Sequence, residues 1–386
     1  MARGDKHSYK GDTRGAGNPS IEVKTETRAS SKHPDYNEDA AIGDVARIKA
    51  ERENPPPLKT AQPDKDNAAL AEASNLEGRH AQALKEKGVH GVLDGVSGES
   101  NGGGLLASRI ASGKIAEIMS HMPADANAER ARRSIEAAIQ AAHQAVTEHK
   151  EGRPELKQMA TTAEIVKTID NGDGTFDVAY GHVGDSRIYV LDGETGKLRV
   201  ETLDDGVAKD AMDQGNITRE QYDQIMNAPD KASLPPDLQF LYQYRNVVSN
   251  VIGMPGKEKI PVATGILKLK KGDRMLMSSD GIHDNLTADQ IEEVMRKGGG
   301  IKELADAAGK VADSGKGRAK PDDITGSVIE FGGGAEKAKG SPAQQTEAAK
   351  LEQMRQFEQD VDQASKEIQR LEALKAETRT VVLYES

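Results

Sequence analysis

Acidic residues recur at the ends of the predicted strands of this chain. The five clusters are Asn37-Glu38-Asp39, Asp94-Gly95, Gly184-Asp185, Asp280-Gly281 with Asp284, and Asp322-Asp323. A single aspartate at a strand end is typical of a turn, and all five clusters could be turns. If they converge, the mutual repulsion of their carboxylates requires divalent cations to offset it. The pattern therefore indicates either a set of turns or one cation site.

Such a cation site would have a defined chemistry. An oxygen-only cluster without His or Cys favours the hard ions Mg²⁺ and Mn²⁺. Two such ions about 3.5–4 Å apart can acidify a shared water for in-line attack on phosphorus. The sequence has no cysteine, no H-E-x-x-H, no G-x-S-x-G and no phosphate-binding G-x-x-x-x-G-K-[ST] loop. Cysteine nucleophiles, zincins and serine hydrolases of the elbow type are therefore excluded.

The composition bears on partners and compartment. The chain has 386 residues with 52 basic and 63 acidic side chains, a net charge of −11. This surplus disfavours nucleic acid as a partner, because that affinity depends on Lys and Arg. The N-terminus lacks the apolar segment of a signal peptide, and no stretch approaches 18 consecutive apolar residues. We expect a cytoplasmic protein that binds neither nucleic acid nor membranes.

Strands and helices are predicted in pairs along the chain. Apolar alternation and short apolar runs predict strands near 21–25, 89–93, 159–169, 175–183, 186–191, 260–269, 273–278 and 324–331. Helical spacing predicts helices up to Lys87 and near 102–122, 126–150, 287–297 and 301–313. The run Asn171-Gly172-Asp173-Gly174 superficially resembles a calcium loop, but its missing ligands favour a hairpin. Pairs of strands and of helices predict an antiparallel α+β fold.

Three regions look peripheral to this pattern. Residues 1–18 have no periodicity, which predicts a disordered leader. Residues 46–66 carry Pro55-Pro56-Pro57 among charges, which predicts a surface loop. Residues 204–257 mix short helices with several prolines and are predicted to leave the core as an irregular excursion.

A charged, glutamine-rich helical tail with a short terminal strand is predicted over 341–386. Its apolar residues fall at spacings of three and four, as in a short coiled-coil seam. They are Met354, Phe357, Val361, Ala364, Ile368 and Leu371. We predict that this helix docks on its own domain. Self-association or partner binding through residues 351–375 are the alternatives.

The acidic clusters, taken in order, resemble one protein family. Asn37-Glu38-Asp39-Ala40, Asp94-Gly95-Val96-Ser97-Gly98, Gly184-Asp185-Ser186-Arg187, Ser279-Asp280-Gly281 and Asp322-Asp323-Ile324-Thr325 resemble metal-dependent protein phosphatases of the phosphatase 2C (PPM) type, above all the bacterial serine/threonine branch. The resemblance implies a catalytic domain over 19–334. Its fold would be a four-layer α/β/β/α sandwich of two antiparallel sheets flanked by helices. Residues 46–66 would be an insertion and 204–257 a flap beside the cleft.

The resemblance also implies the activity and its main residues. The substrate would be a phosphoserine or phosphothreonine protein, hydrolysed in one step by a water that bridges two Mn²⁺ or Mg²⁺ ions. Asp94 would bridge the two ions, and the Gly95 carbonyl would face one of them. Asp280 and Asp322 would complete the shell of one ion.

Further roles follow from the same resemblance. Glu38 would reach the other ion, partly through water, with Asp39 close to the catalytic centre. Asp185 and Asp284 match positions that hold a third, weaker metal in bacterial members.

The sequence departs from the family pattern in several places. Pro34 stands where the family usually has an arginine that grips the phosphate. Lys32 or His33 could substitute, but only as single donors without the fork of arginine. Val96 stands where many eukaryotic members have His and cannot donate a proton. Asp323 replaces the usual Asn. A catalytically weak binding module and a different metal-dependent hydrolase are therefore the alternative interpretations.

Overall fold

The computed structural model describes residues 8–12, 20–31, 34–56, 58–96 and 102–332. Its strands are β1 (Ser8–Asp12), β2 (Ile21–Arg28), β3 (Ala40–Ala41), β4 (Val89–Leu93), β5 (Gly95–Val96), β6 (Ala160–Thr161), β7 (Ala163–Asp170), β8 (Thr175–Val183), β9 (Arg187–Leu191), β10 (Leu198–Val200), β11 (Ala263–Lys270), β12 (Arg274–Ser278) and β13 (Ile324–Phe331). Its helices are α1 (Val45–Glu53), α2 (Pro63–Glu86), α3 (Gly103–His121), α4 (Ala128–Lys150), α5 (Val207–Asp213), α6 (Arg219–Asn227), α7 (Gln239–Tyr242), α8 (Asp280–His283), α9 (Ala288–Arg296) and α10 (Ile301–Ser314).

Two antiparallel sheets form the centre of the fold. One has the strand order β1-β2-β13-β12-β9-β10, and the other has the order β11-β8-β7-β4-β3. Strands β5 and β6 pair separately. Successive strands such as β7 and β8 are joined by a hairpin, in which Gly172 and Gly174 adopt φ values of +79° and +87°. The predicted antiparallel α+β fold and the predicted hairpin are both confirmed.

Buried strands explain the long apolar runs in the sequence. Side chains alternate between the faces of a strand, so every second residue of β9 faces the opposite sheet. Ile188 packs with Val166 in the core between the sheets, whereas Tyr189 packs with Leu304 of α10 in an outer core. Both faces of β9 are therefore covered, and the whole strand is apolar apart from Arg187.

Helix α4 covers the outer face of the other sheet. A β-carbon built at Gly181 of β8 would lie 2.5 Å from the Ile135 side chain of α4. This close approach requires a glycine at position 181. With α9 and α10 on one outer face and α4 on the other, the predicted α/β/β/α order of layers is confirmed.

Two peripheral predictions were wrong. Within the predicted leader 1–18, residues Ser8–Asp12 form β1, which pairs along the edge strand β2. Within the predicted loop 46–66, residues 46–53 belong to α1. The Asp44 carboxylate accepts the backbone N–H groups of Ala46 and Arg47 and so caps the start of this helix. The prolines follow the helix and did not prevent it.

The excursion at 204–257 contains α5, α6 and α7, as predicted. Its apolar side chains form a core of their own, which includes Ile225, Met226 and Leu238. The family resemblance also implies a return helix of this excursion at Asn246-Val247-Val248 and Ile252-Gly253. Instead, Val248 forms a single bridge to Gly206 and Ile252 forms one to Thr161.

The chain divides into two compact units. The first comprises residues 1–120 and 127–338, and the short connection 121–126 is the described portion of the second. Within the described ranges, no helix is both long and apolar enough to cross a membrane. The predicted tail at 341–386, with its 351–375 helix, lies outside the described residues.

Candidate active site

Six of the predicted acidic residues come together where strands of the two sheets end. We call them the carboxylate cluster: Asp39, Asp94, Asp185, Asp280, Asp284 and Asp322. The backbone N–H of Asp280 donates to Asp94 Oδ2 at 3.4 Å. The charges of Asp39, Asp185 and Asp322 also act on Asp94. Residues up to 283 positions apart in the sequence therefore lie close enough for their charges to interact.

Hydrogen bonds hold Asp94 at the end of β4. Its backbone N–H donates to Thr162 Oγ1 at 2.9 Å, and its carbonyl accepts the Thr162 N–H at 2.9 Å. The Thr161 hydroxyl donates to the same carbonyl at 2.8 Å. The backbone of Asp94 is therefore held by Thr161 of β6 and by Thr162, which leads into β7, the neighbour of β4.

The next residue must be glycine. A β-carbon at Gly95 would lie 2.5 Å from the carbonyl oxygens of Glu38 and Gly104. A β-carbon at Gly104 would lie 3.0 Å from the carboxyl carbon of Glu38. The buried Glu38 side chain thus lies against the first turn of α3, beside the segment that follows Asp94.

Asp323 anchors the Glu38 segment. The backbone N–H of Ser30 donates to Asp323 Oδ1 at 2.6 Å, and the N–H of Glu38 donates to Oδ2 at 2.6 Å. A carboxylate has two acceptor oxygens, whereas the amide usual for the family has one. Because Asp323 stands where the family usually has Asn, both of its side-chain oxygens can accept, and the predicted ligand Glu38 is held more firmly beside β13. Burial raises the pKa of Asp323 well above its ordinary value.

Arg109 of α3 is a positioning residue that the sequence analysis missed. Its Nη1 donates to the Asp39 carbonyl at 2.6 Å and its Nη2 donates to the Asn37 carbonyl at 2.9 Å. Its Nε and Nη2 also donate to Glu51 Oε1 of α1. The available signal was a charged residue inside the apolar run 105–110, but its partner Glu51 lay in a region predicted as loop.

Burial and mutual repulsion raise the pKa values of several members of the cluster. Burial, followed by the charges of Asp39 and Asp280, raises the pKa of Asp94 well above its ordinary value. Burial and then Asp280 do the same to the pKa of Asp185. Burial raises the pKa of Asp280 to about 7 and that of Asp39 to about 8. Full ionisation of the cluster therefore requires added positive charge.

One positive charge already lies in the cluster, on Lys320. Its Nζ contacts Asp280 Oδ2 and lies 3.1 Å from both Asp284 Oδ2 and Asp322 Oδ2. Burial alone would raise the pKa of Asp284, but Lys320 and then Arg245 hold it below its ordinary value. The sequence analysis did not single out Lys320, although it stands two residues before Asp322.

The cluster has the donor chemistry of a hard-cation site. Its side chains offer only carboxylate oxygens, and the buried atoms Asp39 Oδ2 and Asp280 Oδ1 have no hydrogen-bond partner in the described part of the chain. As they stand, however, no three acidic or histidine side chains of the described residues are arranged to hold a metal. The residues fit Mg²⁺ or Mn²⁺ chemically, and the ammonium of Lys320 lies among them.

The flap is tied to the cluster by Arg318. Its guanidinium donates to the carbonyls of Met226 and Ala228 in the flap and of His283 and Asp284 beside the cluster. Arg318 is 4% exposed, so these hydrogen bonds are shielded from water. Arg318 therefore joins the excursion 204–257 to the turn that carries Asp284.

The predicted phosphate-binding residues cannot be placed, because Lys32 and His33 lie outside the described residues. Pro34, which follows them, is exposed. Val96 belongs to β5 and pairs with Ala160.

Comparison with known proteins agrees with this architecture. Residues 79–306 match the family model described as protein phosphatase 2C. PstP of Mycobacterium tuberculosis is 27% identical over 223 residues, which are 58% of this chain and 37% of PstP. PhpP of Streptococcus pneumoniae is 27% identical over 148 residues, 38% of this chain and 50% of PhpP. The serine/threonine phosphatase stp of Listeria monocytogenes is 25% identical over 56% of this chain and 74% of stp.

Solved structures share the fold. Serine/threonine phosphatase Stp1 of Staphylococcus aureus aligns with a TM-score of 0.55 at 17% identity, covering 84% of this chain and all of Stp1. M. tuberculosis PstP/Ppp aligns with a TM-score of 0.51 at 19% identity, covering 81% of this chain and 98% of that one. The family match extends over more than half of the chain. This chain belongs to the protein phosphatase 2C family.

Proposed function

We propose that this chain is a metal-dependent protein phosphatase that hydrolyses phosphoserine and phosphothreonine. The observation that carries the proposal is the convergence of Asp94, Asp280 and Asp322 in one cleft whose carboxylates exceed the positive charge available to them. The curated relatives that are named serine/threonine phosphatases support the same reaction.

We assign the candidate ligands as follows. Asp94 would bridge two divalent cations and the Gly95 carbonyl would face one of them. Asp280 and Asp322 would complete the shell of one cation, and Glu38 would approach the other. These cations would supply the positive charge that acidifies a water and offsets the charge of the phosphate. Asp185 and Asp284 would hold a third, weaker cation.

The chain's own residues orient the reaction. We assign Asp39 as the carboxylate that would take the proton of the attacking water. Its Oδ2 is buried, while hydrogen bonds from Ser279 and Thr325 hold the side chain in place. Asp323 and Arg109 fix the backbone on either side of it. The leaving alkoxide would take its proton from solvent in the cleft.

The test is hydrolysis of a phosphothreonine peptide with and without Mn²⁺. We expect turnover only with the cation, and a loss of about 10³-fold in kcat for Asp94→Asn, since a bridging ligand is removed. Asp223→Asn is the matched control, because Asp223 is 49% exposed on the flap and pairs with the exposed Arg219. Undiminished turnover in chelator, or in Asp94→Asn, would contradict the assignment.

A second candidate is a phosphatase fold that binds partners and is catalytically weak. Two observations favour it: Pro34 is not an arginine, and Lys320 lies among the carboxylates that would bind the cation. The same assay separates the candidates. A phosphatase with a weak phosphate grip has a high KM and a measurable kcat, whereas a binding module binds Mn²⁺ without hydrolysing the peptide at any substrate concentration.

A further inference from the structure

We propose that Lys320 is a built-in cation, which occupies one cation position of the carboxylate cluster and competes with divalent ions for Asp280, Asp284 and Asp322. The inference rests on the proposed function, because it concerns how the proposed metal centre is loaded.

Lys320 has more acidic partners than an ordinary surface lysine. An ordinary surface lysine pairs with one carboxylate, as Lys268 of β11 does with Asp177 of β8. Lys320 Nζ contacts Asp280 and lies 3.1 Å from both Asp284 and Asp322. Three carboxylates from two chain segments therefore share this one ammonium.

The backbone of Lys320 is also held in place by hydrogen bonds. Its N–H donates to Asn285 Oδ1 at 2.9 Å, and Asn285 Nδ2 donates to its carbonyl at 2.9 Å. Asn285 is 2% exposed and also donates to the Gly281 carbonyl, next to Asp280. The buried amide of Asn285 therefore holds the Lys320 backbone beside the turn that carries Asp280 and Asp284. The position of the ammonium in the carboxylate cluster thus follows from the fold of this segment.

Other basic side chains near the carboxylate cluster are already paired elsewhere. In the described residues, Asp280 and Asp322 form ion pairs with Lys320 and with no other basic side chain. Arg187 is held by Asp204, and Arg318 is held by four carbonyls. Without a divalent ion, Lys320 is therefore the charge that offsets the repulsion between Asp280 and Asp322.

Lys320 can also leave. Its side chain keeps 22% of its surface exposed, and a four-carbon stem can turn the ammonium into solvent while the backbone stays in place. Binding of a divalent ion to Asp280 and Asp322 would then displace the ammonium. The cation concentration needed to load the site would be raised by the competition, while the metal-free chain keeps its fold.

The experiment measures Mn²⁺ binding to the full chain by titration calorimetry at neutral pH, with wild type, Lys320→Met and Lys320→Gln. Both neutral variants should bind Mn²⁺ about tenfold more tightly, which corresponds to ~1.4 kcal/mol. Lys316→Met is the matched control, since Lys316 is exposed in the same connection; its affinity should match that of wild type. Lys320→Gln retains hydrogen-bond donors toward the carboxylates and carries the test if Lys320→Met does not fold.

Thermal unfolding in chelator supplies a second readout. The neutral variants should melt about 5 °C below wild type in chelator and recover with Mn²⁺, because their carboxylates have lost the internal charge. Equal Mn²⁺ affinity in wild type and both neutral variants would overturn the role of Lys320 and leave the proposed function standing. Absence of Mn²⁺ binding in all of them would overturn the proposed function as well.

Discussion

Two groups of buried charge lie side by side in this molecule, and they differ in balance. In the first, which we call the paired cluster, each charge has an opposite partner: His182 contacts Glu164, and Arg187 forms two hydrogen bonds to Asp204 at 2.6 and 2.7 Å. The carboxylate cluster has six acids, and the ammonium of Lys320 pairs with three of them. The Asp204 charge acts on Asp185, so the two clusters are neighbours.

The comparison separates structural charge from functional charge. A balanced buried pair needs nothing from outside the chain, and breaking it leaves an uncompensated charge. An unbalanced group destabilises the fold until a cation binds, and perturbed pKa values of this kind are concentrated at functional sites. The excess of negative charge therefore distinguishes the carboxylate cluster as the candidate functional site. Three stability measurements test whether the two clusters respond to mutation in opposite ways.

The largest effect is expected from breaking the paired cluster. Arg187→Met leaves Asp204 buried without its partner and should lower the free energy of unfolding by about 3–5 kcal/mol, measured by urea denaturation. The matched control is Arg219→Met, which breaks an exposed pair with Asp223 and should cost less than about 1 kcal/mol. Similar losses in the two variants would mean that the Arg187–Asp204 pair is not structural.

The second measurement uses the pH dependence of the same cluster. Burial lowers the pKa of His182, but Glu164 more than reverses this and raises it to about 9. A histidine with a raised pKa in the folded state contributes stability that is complete below its unfolded pKa of 6.5 and lost as pH rises through about 9. The stability difference between wild type and His182→Gln should therefore shrink by about 2 kcal/mol between pH 7.5 and pH 10, where Glu164 is mostly ionised.

Burial also raises the pKa of Glu164 to about 7, so the pair is fully ionised only above that value. The same urea series checks the sign of the His182 effect. A difference that grows with pH would show that His182 is neutral in the folded chain and that the pair is an ordinary hydrogen bond.

The smallest effect is expected in the carboxylate cluster, and it has the opposite sign. Asp94→Asn removes a charge that is repelled by Asp39 and Asp280, so in chelator it should raise the free energy of unfolding by about 1 kcal/mol. The same variant should lose its activity, as proposed above. A loss of stability in chelator would indicate that Asp94 serves the fold and would remove the contrast between the two clusters.

Local patterns were sufficient for much of the fold. The strand and helix pairs follow from the period of apolar residues, and the hairpin at 171–174 follows from its glycines. Helix α1 was missed because its start depends on one side-chain cap at Asp44, whereas the neighbouring prolines dominate the composition. Strand β1 was missed because its pairing with β2 is a tertiary contact without a local signal.

The site was predictable to the extent that it consists of acidic strand ends in a recognisable order. The residues that hold those acids were not, because each acts across a long sequence separation. Arg109 reaches Asp39 over 70 positions, and Asp323 reaches Glu38 over 285. Lys320 was overlooked for a related reason: a lone lysine beside acids is usually a solvated pair, and only the fold brings three carboxylates around it.

Arg318 links the flap to the turn that carries Asp284. One guanidinium holds two carbonyls of the flap and two of the turn that carries Asp284. Separating the flap from this turn breaks at least two of these four hydrogen bonds at once, so one guanidinium couples the two segments. Under the proposed function, a phosphoprotein that shifts the flap on docking would also displace Asp284 through this guanidinium, and binding at the surface would be coupled to the cation proposed for the carboxylate cluster.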